Sequence, residues 1–411
     1  MVHRLIEYID PRPEHRFLLA CTCLPMPPSA IAQAKLILQE KMDWAYLRRL
    51  AEEHGMLWVM HTQIANHFSE AVPSAVAQDL RAQFEQNQFK SLWATSELLR
   101  MLARFTEHDL QVLPYKGPVL AESLYGSLAI RRMGDLDLLI RASDYWQVHH
   151  VLIAEGYQPN LALSDLATAA LVRYQCERTY THREYGIGID LHWGIWLAHA
   201  IFSPERAGVW HRTQTTTLAG KPIVAISPED TLLLLAIHGA THHWRGLSWL
   251  MDLGQMIRRV NLDWEWVERE ASRWGVRRIV WLALYLASQL TDAELPAAVQ
   301  IAIERDRKVR MLARQVGEEL FLAPREVPIE QDLSFHLRAR ERWTDRLRCL
   351  ISLATAPSAE DITQIALPKG LFPFYRILRL GRLSVKYGAA LLQHWFSRQR
   401  TPPRQNTKSI L

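Results

Sequence analysis

Gly134-Asp135-Leu136-Asp137-Leu138-Leu139-Ile140 is the stretch on which the fold turns. Leu136, Leu138 and Ile140 recur with period two, the pattern of a strand with one face in a core. The spacing predicts that Asp135 and Asp137 share the other face, about 6 to 7 Å apart and aimed at one spot. Carboxylates so placed repel one another, and a hard cation between them removes the repulsion. Magnesium suits, because it takes oxygen ligands and keeps positions for water or phosphate. An Asp-x-Asp pair by itself is a weak signal, and a solvated strand edge is its commoner meaning.

The flanks add to it. Val112 to Tyr115 reads as a strand, and Pro118 to Tyr125 as a short helix opened by Gly117 and closed by Gly126. The turn at Lys116-Gly117 can offer backbone N–H groups at a helix N-terminus to a triphosphate, with Lys116 as a movable positive charge. Tyr145 to Glu155 reads as a helix ending at Gly156. From Gly186 to Trp193 another strand is predicted, because Ile187, Ile189, Leu191 and Trp193 alternate with Gly188, Asp190 and His192. Asp190 is then a third carboxylate, provided its strand lies beside that of Asp135 and Asp137.

In combination, several motifs resemble the bacterial uncharacterised nucleotidyltransferase family of the DNA polymerase beta-like superfamily. They are Leu113-Pro114-Tyr115-Lys116-Gly117-Pro118, Leu124-Tyr125-Gly126, Arg131, Gly134 to Ile140, Gly156-Tyr157, Ile189-Asp190-Leu191-His192-Trp193, and His238 with Asp252. The resemblance runs from Leu36 to Leu290. It implies an α+β, mostly helical protein: an α/β nucleotidyltransferase core with a small mixed sheet, between N-terminal and C-terminal helical regions. It also implies that Asp135 and Asp137 are paired metal ligands and Asp190 the third carboxylate. Lys116, Gly117, Arg131 and His238 become nucleotide-binding residues. The implied reaction moves a nucleoside monophosphate from a triphosphate, ATP by expectation, to a hydroxyl on a small molecule, glycan or protein. Pyrophosphate leaves, and magnesium or manganese assists. The wider superfamily has Gly followed by Ser or Gly at the turn occupied here by Lys116, Gly117 and Pro118. A catalytically inactive nucleotide-binding or scaffold protein of the same fold is the alternative.

Composition is consistent with this. The 411 residues are 49% apolar and 22% charged, a globular profile that excludes disordered and fibrous classes. Met1 to Pro11 carries His3, Arg4, Glu7 and Asp10 and lacks a secretory h-region, so a cytoplasmic location is expected. Four scattered cysteines make neither a disulfide framework nor a four-ligand zinc site. The longest apolar runs, Leu232 to Ile237 and Ile279 to Leu286, are too short to span a bilayer. A net charge of +5 permits an anionic partner, but no dedicated nucleic-acid module is present.

The expected organisation is a helical region over 1–109, the α/β core over 110–226 and a helical region completing the cleft over 227–300. A C-terminal helical region over 301–400 and a disordered tail over 401–411 follow. Trp44, Leu47, Leu50 and Ala51, then Leu92, Leu98, Leu99, Leu102 and Phe105, set the N-terminal helical faces, with a start at Pro73-Ser74. A hairpin of Thr215–Leu218 and Ile223–Ile226 is expected around a loop of Ala219 to Pro222. Ser227, Pro228 and Asp230 mark a capped helix start. His238 and His242 have the spacing of a helical metal pair, but packing is the commoner role. Trp244, Trp249, Trp264 and Trp266 read as core, and Asp252 as a local cap or pair. Residues 369–408 hold nine Lys or Arg and no acid, which suits a peripheral contact of 369–400 with an anionic membrane; a packed terminal helix is the simpler reading.

Overall fold

The computed structural model describes residues 5–9, 11–197, 200–322 and 329–385. The chain is α+β and mostly helical, around a small mixed sheet. Its strands are β1 (Leu113–Pro114), β2 (Leu136–Leu139), β3 (Tyr157–Pro159), β4 (Glu177–His182) and β5 (Gly188–His192), in the order β1-β2-β5-β4-β3. β2 and β5 run parallel, and the other neighbours are antiparallel. Leu136, Leu138, Ile189 and Leu191 are buried. Slipping β2 by one residue would drive Asp137 into that apolar layer, so the alternation itself selects the register.

β4 escaped the sequence reading for a physical reason. Its inward positions are Arg178, Tyr180 and His182, all buried, and two of the three are polar. Burial is compensated by partners: Arg178 donates to the Tyr145 hydroxyl and to the Leu161 carbonyl, and the His182 ring meets the Glu155 carbonyl. Beyond the sheet lie two ribbons, β6 (Ile195–Leu197) with β7 (Ala200–Phe202) and β8 (Gln214–Leu218) with β9 (Lys221–Ala225). The second corrects the expected four-residue loop. Only Ala219 and Gly220 form the turn, both at positive φ (+49° and +75°), as a two-residue hairpin turn requires. Lys221 and Pro222 belong to β9, where a two-stranded ribbon tolerates proline because it has no second ladder to donate to.

The helices bury the expected stripes with one departure. Leu47, Leu50 and Ala51 are inside, as is the Pro228–Thr241 helix, whose Ser227 cap accepts from the Asp230 N–H. In the 34-residue Ser74–Glu107 helix, however, Leu92 is 62% exposed while Asn87, Ser91, Thr95 and Leu98 are buried. The inner face of that helix carries polar anchors, which hydrophobic periodicity does not register. Leu232, Leu250, Val280, Leu282 and Leu286 are fully buried at the centre of the main apolar cluster. Truncating any one of these leucines to Ala costs roughly 2–5 kcal/mol.

His54 ends the Trp44–Glu53 helix, 5% exposed, with its Nδ1 unpartnered. Burial, and then nearby His15, push its pKa from 6.5 down to about 4. The unfolded chain therefore binds more protons than the folded one between those values. The stability that neutral His54 allows is complete above pH 6.5 and is lost as pH falls toward 4. His54→Gln should remove up to about 3 kcal/mol of the stability difference between pH 7 and pH 4.5. Urea titrations of both proteins at the two values check this, and parallel acid sensitivity would refute it.

By internal contacts the chain divides into residues 1–162 with 176–349, and residues 163–175 with 350–411. In the second unit the Asp165–Tyr174 helix packs on the Ala359–Gln364 helix and the Lys369–Phe374 turn. A capping box joins Ser358 to Asp361, and the Tyr375 hydroxyl donates to the Ile365 carbonyl. Arg379 and Arg382, from the stretch proposed for membrane contact, pair with Asp361, and Arg382 also with Glu360. The rest of that stretch, 386–400, and the expected tail lie outside the described residues. Among the described residues no helix is long and apolar enough to cross a membrane.

Candidate functional site

The parallel pairing of β2 and β5 sets Asp137 beside Asp190 in register, with strands about 4.8 Å apart. Carboxylate oxygens of these two and a ring nitrogen of His192 lie within 4.8 Å of one another. Asp135 stands one residue before β2 rather than inside it, because the ladder with β5 begins at Leu136. It is not one of that close group, and what fixes its place is β5. Its carboxylate lies over the bare Cα of Gly188, where an added Cβ would come within 1.9 Å of Asp135 Oδ1. The strand adjacency that spacing alone left open is thus present: Asp137 and Asp190 meet in register, and Asp135 lies over Gly188, two residues before Asp190.

Their electrostatics differ. Asp135 is exposed and has no hydrogen bond or ion pair among the described residues; burial of its surroundings, then Asp190 and Asp137, raise its carboxyl above the usual range. Asp137 is mostly buried, which opposes ionisation. Lys116, His192 and His238 outweigh that and hold it far below the usual range. Lys116 Nζ is 3.1 Å from Asp137 Oδ1 and 3.4 Å from His238 Nδ1. His192 sits 3.4 Å from Asp137 and 3.2 Å from Glu177; burial disfavours its charge, yet the two acids leave its pKa raised. Asp190 accepts a bond of 2.7 Å from the Thr179 hydroxyl.

The turn before the Pro118–Tyr125 helix is as expected, with Gly117 at φ +57° and ψ −128°, a conformation glycine adopts without strain. Arg131 is neither a surface arginine nor an open fork. Its Nη2 donates to Asp252 at 2.7 Å and its Nη1 to the Gly117 carbonyl at 3.1 Å. Asp252, fully buried, also accepts from Tyr125 at 2.8 Å, so its partners are distant in sequence rather than the local ones expected. Burial raises its pKa, against Arg131 and Tyr125. Asn87 braces the same segment, donating to the Ala129 and Arg131 carbonyls and accepting from the Met133 N–H.

His238 is held neutral by burial, Lys116 and His242. His242 packs 4.8 Å from it, and Trp249 lies 5.5 Å from His238 and 5.1 Å from His242. His238 faces Lys116, and among the described residues it forms no metal cluster with His242. Trp244 is fully buried, and Trp264 and Trp266 pack on the core.

Sequence reasoning missed Glu177, Thr179 and Asn87 as site residues. Glu177 and Thr179 sit on the unrecognised β4, and Asn87 looked like one more polar residue on a long helix. His192 was missed too, although it shares the face of Asp190 at the next alternate position, a signal that could have found it.

No curated protein and no solved structure matches the chain. The sheet, Asp137 of β2 with Asp135 just before it, Asp190 of β5 and the glycine turn all lie within one segment, residues 40–292, and that segment matches a family model. Spanning more than half of the chain, the match shows that the protein belongs to the uncharacterised nucleotidyltransferase family, enzymes that transfer nucleotidyl groups.

Proposed function

We propose that this enzyme moves a nucleoside monophosphate from a nucleoside triphosphate, ATP by preference, to a hydroxyl of its acceptor, with magnesium held by Asp135, Asp137 and Asp190. The reading rests on the pairing of Asp137 with Asp190 across β2 and β5, with Asp135 over Gly188 and Lys116 of the glycine turn on Asp137. The donor set fits a hard cation: oxygen ligands, excess negative charge at Asp135, and a glycine that leaves room for its carboxylate. Bound divalent cations would neutralise the carboxylates and the charge developing on the attacking and leaving oxygens.

The chain's own residues supply the rest. Asp190, steadied by Thr179 at Oδ1, takes the proton from the acceptor hydroxyl through Oδ2. The new oxygen–phosphorus bond forms at the α-phosphate as the bond to the departing pyrophosphate breaks in line. Lys116, now on Asp137, is within a side-chain rotation of the Gly117 turn and transfers its charge to the triphosphate. Arg131 acts by fixing the Gly117 carbonyl and His238 by backing Lys116. The acceptor is a small molecule, a glycan or a protein.

Incubation with each α-labelled triphosphate, magnesium and cell extract as acceptor source should release pyrophosphate and label an acceptor. No release with any triphosphate would remove the proposal in favour of an inactive scaffold. Gly188→Ala tests the geometry: the methyl group displaces the exposed Asp135 carboxylate, whose rotation costs the fold little. Transfer should fall about 100-fold, as a misplacement near 1 Å costs, with the melting temperature unchanged. Full activity in that variant would remove Asp135 from the site.

A further inference from the structure

A second cluster of ligand-bearing side chains lies outside the acids of the sheet. His243 Nε2 is 2.9 Å and His336 Nε2 3.2 Å from the same oxygen, Asp332 Oδ1, and the three atoms all lie within 4.8 Å of one another. The two histidines are 4% and 2% exposed. His243 follows the Pro228–Thr241 helix, whereas Asp332 and His336 are one turn apart on the Ile329–Ala339 helix.

The backbone is shaped to deliver His243. It and Trp244 both have positive φ, +52° and +48°, a conformation costing a non-glycine residue about 1 kcal/mol or more. Trp244 is wholly buried and pressed on Gly239, where a Cβ would meet its Nε1 at 2.5 Å, so the turn is held from beneath. The rings are fixed as well: Phe335 stacks on His243 at 4.3 Å and meets His336 edge-on at 5.4 Å.

From this geometry we infer that His243, Asp332 and His336 form a transition-metal site, with zinc as the fitting ion. Two imidazole nitrogens are borderline ligands that suit zinc and discriminate against magnesium, and zinc also accepts the carboxylate oxygen. Separations of 2.9 and 3.2 Å between ligand atoms are close to those around a tetrahedral ion with bonds of about 2.0–2.1 Å. Three side chains leave one position for water. The ion ties the Ile329–Ala339 helix to the end of the helix that carries His238 and is capped by His242. It involves neither the triphosphate nor the acids of β2 and β5.

The test uses the full chain, stripped with chelator and then titrated with zinc chloride by calorimetry, with bound metal counted by mass spectrometry. One zinc per chain should bind, raise the melting temperature, and do so equally in Asp135→Asn. Cobalt in its place should give the visible absorption of a tetrahedral site. His336→Gln and Asp332→Asn retain polar side chains of similar size and should lose at least 100-fold in zinc affinity. His243→Gly removes a ligand and should lose zinc affinity likewise, with relief of the left-handed backbone offsetting part of the packing lost with the ring stacked on Phe335. No zinc bound by the wild type, equal affinity in the three variants, or loss of zinc in Asp135→Asn would each overturn the assignment. The first of these would leave a hydrogen-bonded His-Asp-His group.

Discussion

Replacing Asp135 by Asn should lower nucleotidyl transfer by about 10³-fold, the scale for losing one preorganised charge at a reacting phosphate, while leaving the metal-free protein at least as stable as wild type. The two halves have one cause. Asp135 is exposed and faces Asp190 and Asp137, which with burial raise its carboxyl. A raised carboxyl opposes folding once ionised, so its penalty is absent at acid pH and appears as pH rises above the ordinary carboxylate range. The stability advantage of the Asn variant should therefore open at pH 7 and close near pH 4. Magnesium should raise the melting temperature of the wild type and not of the variant, because only the wild type binds it. Initial-rate assays and urea titrations at the two pH values measure both halves. An Asn variant with wild-type turnover would show that the acid is a solvated strand edge.

Asp252→Ala should have the largest effect on stability, about 3–5 kcal/mol, the cost of leaving a buried charge without its partner. Asp252 is wholly buried, Arg131 is 14% exposed, and Tyr125 loses its acceptor in the same change. Activity should fall even well below the melting temperature, since Arg131 also holds the Gly117 carbonyl and a released fork no longer fixes that turn. Arg131→Gln combined with Asp252→Asn removes both charges and should cost less than the sum of the single changes. Denaturant unfolding of the four proteins gives that coupling directly. Additive losses would mean that the pair does not act as a unit.

Some of this was open to reading from residues alone. Leu136, Leu138 and Ile140 prescribe β2, Ile189 and Leu191 prescribe β5, and Gly117 with Pro118 starts the helix observed at Pro118–Tyr125. These are local preferences, in which period and backbone sterics act within a few residues of the motif. The hairpin was legible but its turn was not, since Ala219 takes a positive φ that its own chemistry disfavours and only the pairing of β8 with β9 imposes.

By itself, then, the sequence determined β2, β5, the capped helix starts and the candidate carboxylates, because each depends on neighbours along the chain. Tertiary structure alone decided that Asp190 lies beside Asp137, that Lys116 rests on Asp137, that Arg131 turns inward to Asp252, and that His243 meets Asp332 and His336. Those pairs are 21 to 121 residues apart. Charges and polar groups choose such partners only when burial strips them of water, and burial is a property of the whole packed chain rather than of any one segment.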